Sequence, residues 1–384
     1  MAAPDSSVLE PRTLDELHTP AAVVDLDRLT ANLDRMAAYA RRHGLALRPH
    51  TKTHKSPWIA GMQVERGAAG LTVATAREAE VMASVTDDLL VAYPPVGRAR
   101  IDALLAVADR TRVTVALDSL EALDAIATAA AGAGLEIGVL VELDVGMRRC
   151  GVTVPEEAVA LAGVAASRAG VAYRGVMFYP GHVREPVTEQ GPALERLSAD
   201  LGRFLDALDA VGLPPAIVSG GSTPTAFASH RIAGVTEVRP GNYVFNDRTT
   251  AAIGACAWED CAYTVLATVV SVAVPGQAVV DAGSKALSRE EIRAPNATGF
   301  GALLDRPDVV VAAMSEEHGV LDLSRTSWRP AVGDRVRIVP NHVCVSVNLQ
   351  DRIWGVRGDT IETEWPVAAR GWIAGEAAAR AATR

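Results

Sequence analysis

The chain has 384 residues, 49% of them hydrophobic and 22% charged, enough apolar material for two domains or one large barrel with an appendage. A net charge of −9 argues against a nucleic-acid partner, which requires a basic stripe. The opening MAAPDSSVLEPRTLDEL lacks the apolar core of a secretory signal, and no run nears the ~18 apolar residues of a membrane span. Cys150, Cys256, Cys261 and Cys344 are too few for a disulfide framework. The expectation is therefore a reduced, cytoplasmic protein with no membrane association.

In chain order, residues 1–20 form an N-terminal segment expected to pack on a later β-domain. DLDRLTANLDRMAAYARRHG (25–44) has helical spacing and ends at Gly44. From there to about residue 245, strand-like runs alternate with amphipathic ones. The strands are LALRPH (45–50), GLTVAT (70–75), DDLLVAY (87–93), RVTVAL (112–117), EIGVLVELD (136–144), YRGVMFY (173–179), AIVSGG (216–221) and TEVRPG (236–241). Helical patterns occupy 55–67, 76–85, 97–110, 119–134, 155–170 and 193–212. A doubly wound open sheet competes, but eight strands alternating with helices favour a (β/α)8 TIM barrel over residues 21–250. After residue 250, runs at 263–276, 277–283, 334–340, 342–347, 352–357 and 359–365 read as strands separated by Gly, Pro or Asn. Residues 251–384 are thus expected to be an all-β domain. Their tail, GEAAARAATR, reads as a frayed helix or disordered chain.

In a barrel, chemistry gathers at the C-terminal ends of the strands. The first strand ends in Arg48-Pro49-His50-Thr51-Lys52-Thr53-His54-Lys55. A lysine there points into the mouth, where low dielectric lowers its pKa and makes it a nucleophile toward an aldehyde. Strand seven ends in Ser219-Gly220-Gly221-Ser222-Thr223-Pro224. Two glycines admit an anion to the backbone, two hydroxyls can bind it, and Pro224 suits a helix start. Strand five delivers Arg148 and Arg149, strand six Tyr179 and His182, and strand eight Arg239 to Tyr243. In the β-domain, His342 and Cys344 sit two apart, on one side of a strand if the run is extended. Imidazole plus thiolate suits a zinc-type ion, and two protein ligands leave positions for water and substrate.

Taken together, RPHTKTHK, DVGMRRCGV, YPGH, SGGSTPT, EVRPGNYVFND, VVDAGSKALS, SEEHG and PNHVCVSVNL, in that order, resemble the fold-type III pyridoxal 5'-phosphate (PLP) enzymes of the D-threonine aldolase and D-serine dehydratase group. The resemblance implies an alanine-racemase-like barrel plus a β-domain, assembled as a homodimer. Lys52 would bond covalently to PLP and Arg149 would contact its phenolic oxygen. Gly220, Gly221, Ser222, Thr223 and Tyr243 would hold its phosphate, with His50, Tyr179 and Ser219 completing the contacts. His342 and Cys344 would bind a divalent metal, Zn or Mn/Mg. The dehydratase branch carries His-x-Cys ligands, whereas DAGSKALS and DRIWGVR are closer to the aldolase branch. The activity implied is a PLP- and metal-dependent lyase on small D-3-hydroxy amino acids. Retro-aldol cleavage, with His182 as the base, stands ahead of elimination of water. An amino-acid racemase and a non-catalytic PLP-binding protein are the other readings.

Overall fold

The computed structural model describes residues 12–295 and 297–371. Most of the expected N-terminal segment (1–11) and the Ala/Arg-rich tail lie outside the described residues. The chain divides into two compact units. One comprises Leu33–Tyr243, Ile253–Ala255 and the residues from Ala368 onward; the other comprises the residues up to Asn32, Val244–Ala252 and Cys256–Val367.

The first unit contains all eight expected strands, each parallel to its neighbours. They are Ala46–Leu47, Leu71–Val73, Asp88–Val91, Arg112–Leu117, Ile137–Leu143, Val171–Phe178, Ile217–Gly220 and Glu237–Val238, barrel strands 1 to 8. Their order is 1-8-7-6-5-4-3-2. A parallel bridge from His50 to Thr72 joins the two ends, and the Thr72 N–H donates to the Pro49 carbonyl at 2.8 Å. The sheet therefore closes into a barrel and is not an open doubly wound one.

Helices Pro57–Glu65, Ala76–Met82, Arg98–Ala108, Leu120–Gly132, Pro155–Ser167 and Gly191–Ala210 follow strands 1 to 6. Ser56, Thr75 and Ser119 cap three of them by accepting the N–H groups of Ile59, Glu78 and Ala122. After strand 7 the expected helix does not begin at Pro224. A six-residue 3-10 turn, Ala226–Arg231, takes its place.

Side-chain alternation explains the barrel's packing. Val113, Val115 and Leu117 face the helices, as do Val139, Val141 and Leu143. Ala116 and Leu140 instead join Leu90 and Met177 in a small cluster inside the barrel. Glu142, two residues beyond Leu140, therefore points inward, toward the C-terminal mouth.

The second unit is antiparallel except for one pairing. Tyr263–Ser271, Gln277–Val280, Gly319–Asp322, Arg306–Met314, Gly301–Leu303 and Arg335–Pro340 pair in that order, and the last pairs back onto Tyr263–Ser271, closing a small barrel. Strand Ala21–Asp25 pairs on one side with Tyr263–Ser271 and on the other, in parallel, with Arg352–Arg357. It went unread in the sequence, as did strands Gly301–Leu303, Arg306–Met314 and Gly319–Asp322.

One expectation here is corrected. Residues 342–347 are not a strand: Val343–Leu349 is a helix with His342 at its N-cap. The valine alternation suggested period two. Val343, Ser346 and Val347 are buried while Val345 is exposed, so packing selects the helical period over β-propensity.

Candidate active site

Barrel strand 1 runs into a single 3-10 turn, Thr51–Thr53, with both threonines buried and Lys52 half-buried between them. His50 Nδ1 accepts the Lys52 backbone N–H at 3.4 Å. Lys52 Nζ lies 5.7 Å from the Tyr179 ring centre, and Arg149 Cζ lies 4.9 Å from the same ring. Strands 1, 5 and 6 thus bring an amine, a guanidinium and a phenol together.

The strand 5 loop is organised by carboxylates. Asp144 Oδ1 accepts from Gly146 and Arg148 N–H, and Asp118 Oδ2 from Gly151 N–H. Arg148 takes a left-handed φ of 54°. Arg149 is left half-exposed, with Nη2 4.0 Å from Glu142 Oε1. His182 is exposed, and its ring packs over Gly146, where a Cβ would sit 3.0 Å from Nε2.

Two buried groups complete the arrangement. Arg239, just after strand 8, donates from Nη2 to the Phe178 carbonyl at 2.6 Å, while its buried Nε–H has no hydrogen-bond partner among the described residues. Burial, against Glu237 and Glu142, lowers Arg239 to about 10. Burial likewise raises the Glu142 carboxyl, against Arg239 and Arg149. An unsatisfied buried donor costs about 1–3 kcal/mol, so the Arg239 Nε–H fits an acceptor on a bound cofactor ring.

At the glycine-rich turn, a Cβ on Gly220 would sit 2.1 Å from the Phe178 ring, and Gly221 holds a φ of 92°. Neither position tolerates a side chain, which lets the backbone face an anion. Ser222 and Thr225 hydroxyls lie 3.0 Å apart, and Ala226 N–H donates to the Thr223 carbonyl at 3.2 Å. Ser219 does not join this turn. Its hydroxyl donates to Glu237 Oε1 at 2.6 Å, in a buried network with Arg48.

Tyr243 is fixed by a relay of defined polarity. The Ser56 N–H donates to His54 Nδ1 at 3.2 Å. A neutral His54 therefore carries its proton on Nε2, which donates to Gln63 Oε1 at 3.3 Å. Gln63 Nε2 then donates to the Tyr243 oxygen at 3.0 Å, leaving the Tyr243 O–H to donate elsewhere. Burial keeps His54 neutral, lowering it to about 4, against its hydrogen bonds with Gln63 and Ser56. Burial, then Lys52 and Arg239, hold His50 well below its ordinary range.

A stability prediction follows. Between about pH 6.5 and pH 4 the unfolded chain binds a proton at residue 54 that the folded chain refuses, so stability falls with pH. The expected loss is about 3 kcal/mol between pH 7.5 and pH 4. Urea unfolding across that range checks it, and an equally steep profile in His54→Gln would refute the assignment.

In the second unit, His342 Nδ1 lies 3.1 Å from Asp247 Oδ2, and the Cys344 side chain is hydrogen-bonded to His342. Cys344, against burial, and Asp247 push His342 up to about 11. Burial opposes ionisation of Asp247, yet His342 and the N–H groups of Thr250 and Val343 hold its carboxyl low. Among the described residues no group of three His, Cys, Asp or Glu is placed to hold a metal. The imidazole and thiol are nonetheless adjacent, as two ligands of one ion must be. A soft pair with the remaining positions open fits a catalytic divalent metal.

Glu142, Gln63, His54 and Asp247 were not singled out from the sequence. Glu142 carried a signal, a lone charge at an inward position of an apolar strand. The others belong to no spacing pattern.

Comparison with known proteins bears on both units. An alanine racemase N-terminal domain profile matches residues 24–249, and a serine dehydratase domain profile matches residues 262–356. The chain is 38% identical over 352 residues to D-threo-3-hydroxyaspartate dehydratase of Delftia sp. strain HT23, covering 87% of this chain and 93% of that protein. A cysteine-to-alanine variant of that dehydratase, solved in a metal-free form, superposes with a TM-score of 0.85 at 34% identity, over 95% of this chain and 100% of that one. Identity to 3-hydroxy-D-aspartate aldolase of Paracoccus denitrificans is 33% over 369 residues, covering 93% of each chain. The D-threonine aldolase structure from Filomicrobium marinum superposes with a TM-score of 0.85 at 36% identity, over 94% of this chain and 98% of that one. With both profiles matched and relatives aligned along nearly its full length, the chain belongs to the D-threonine aldolase and D-serine dehydratase family of PLP-dependent lyases.

Proposed function

We propose that the protein is a metal-assisted lyase on D-3-hydroxy amino acids, cleaving the Cα–Cβ bond to release glycine and an aldehyde. The observation that carries this reading is the adjacent His342–Cys344 pair, backed by Asp247. A racemase needs no such pair, and neither does a protein that only carries PLP.

Bound PLP supplies an electron sink for the bond broken at Cα. Lys52 would hold it covalently, with Arg149 at its phenolic oxygen and the Arg239 Nε–H facing its ring. The Gly220–Thr223 turn and the Tyr243 hydroxyl would take its phosphate; Tyr179 would pack beside it and His50 would brace the Lys52 turn. A divalent metal, Zn or Mn/Mg, held by His342 and Cys344 would lower the pKa of the substrate's β-hydroxyl. His182 is the chain's base for that hydroxyl proton, taken at a ring nitrogen. Its ring is exposed and packs over Gly146 in the loop after strand 5.

A second reading is elimination of water, with the Lys52 amine taking the Cα proton. It is supported by the Cys344 ligand and by the 38% identity to a dehydratase. The protein is further proposed to act as a cytoplasmic homodimer, which the family resemblance and four cysteines that form no disulfide support.

The test is a product profile with D-threonine, D-serine and 3-hydroxy-D-aspartate. Cleavage gives glycine with acetaldehyde, formaldehyde or glyoxylate. Elimination gives ammonia with 2-oxobutyrate, pyruvate or oxaloacetate. Glycine with the matching aldehyde is the expected result. Ammonia with a 2-oxo acid favours the second reading, and no product with Zn²⁺ or Mn²⁺ present sinks both for these substrates.

A further inference from the structure

We infer that Asp247 is a positioning residue for the metal, holding His342 by Nδ1 so that Nε2 and the Cys344 sulfur form the binding face. This rests on the metal-dependent reading above and adds to it the group that fixes the ligand's tautomer.

Asp247 is fully buried. Its Oδ2 is 3.1 Å from His342 Nδ1 and accepts the Val343 N–H at 3.2 Å. Its Oδ1 accepts the Thr250 N–H at 2.9 Å and lies 3.0 Å from the Thr250 hydroxyl. The Asp247 N–H in turn donates to Thr250 Oγ1 at 2.8 Å. The carboxylate cannot rotate without breaking several of these contacts at once.

Oδ2 already accepts the Val343 N–H and Oδ1 the Thr250 N–H, so the carboxyl group acts as an acceptor toward His342 as well, and the proton between them sits on Nδ1. A neutral His342 then has its lone pair on Nε2, the only ring nitrogen able to bind a metal. The Val343 N–H fastens the same oxygen to the residue between the two ligands, which fixes the whole 342–344 segment against the carboxylate. Partners of this kind raise the basicity of a ligating imidazole and fix its orientation. Both Asp247 oxygens are already engaged, so it serves through His342 and not as a third ligand.

Asp247→Asn tests this in the full-length protein. The asparagine keeps the Oδ1 acceptor but presents an NH₂ to Nδ1, which drives the imidazole proton onto Nε2. The expected result is a Kd for Zn²⁺ raised about 10- to 100-fold, read by equilibrium dialysis with elemental analysis. An unchanged Kd, with apo and loaded melting temperatures lowered equally, would reduce Asp247 to a support for the 343–349 helix and overturn the inference. Should the variant not fold, ¹⁵N spectra of the zinc-loaded wild type decide. A protonated Nδ1 and a metal-shifted Nε2 on His342 are expected; a metal-shifted Nδ1 overturns it. A wild type that binds no metal at all would take down the proposed function as well, so the two failures are distinguishable.

Discussion

Replacing Lys52 with alanine removes the absorbance band of the cofactor-bound protein and lowers kcat/KM by at least about a thousandfold, roughly 4 kcal/mol of lost transition-state stabilisation. The magnitude follows from its double use. In the proposed function its amine is the covalent anchor of the cofactor, and in the elimination reading it also moves the Cα proton. No neighbour can stand in. Lys55, three residues on, has Nζ 3.5 Å from Glu78 Oε1, with that carboxylate buried. It sits at a left-handed φ of 50° and its carbonyl accepts the Ala369 N–H, which marks it as structural. Lys55→Ala should therefore keep the band while melting at a lower temperature. Paired spectra and initial rates for both variants decide the matter, and a retained band in Lys52→Ala would remove the central assignment.

Stripping the metal is the second large effect. A divalent ion acting on the β-hydroxyl is worth several kcal/mol, so chelation should cost roughly a thousandfold in kcat/KM and leave the cofactor band in place. Added Mn²⁺ or Zn²⁺ should restore the rate. Cys344→Ala should show the same loss with poorer restoration, because one of the ion's two proposed protein ligands is gone. The result separates reaction classes: exchange of the Cα proton without bond cleavage does not need the ion, whereas either lyase reading does. Full activity in protein shown by elemental analysis to be metal-free would eliminate both lyase mechanisms as drawn.

Much of this was legible before any coordinates. Most of the eight barrel strands stand out because they are short runs rich in apolar residues, bounded by glycine, proline or a capping residue. Lys52, Arg149 and Tyr179 could be placed together because the barrel's connectivity puts strand ends at one mouth. The second unit was read less well. Arg306–Met314 carries arginine, proline and aspartate at its start and half-exposed residues after, so its strand character comes from pairing and not from composition. Residues 342–347 show alternation by accident of valine spacing, and only burial reveals the helix. Asp247 ends the EVRPGNYVFND run, but its role was beyond reach: its partner lies 95 residues away in sequence, and a single aspartate in a loop carries no periodic signal.

The strand Ala21–Asp25 has a consequence for the order in which the chain can mature. It is made early, yet it lies between Tyr263–Ser271 and Arg352–Arg357. During synthesis it emerges with both edges unpaired and must wait for more than half the chain before either partner exists. The barrel strands, by contrast, are contiguous and can assemble as they appear. Such long-range closure is slow. The unit that carries His342 and Cys344, the pair proposed to hold a metal, can therefore close only after the barrel strands have all been made.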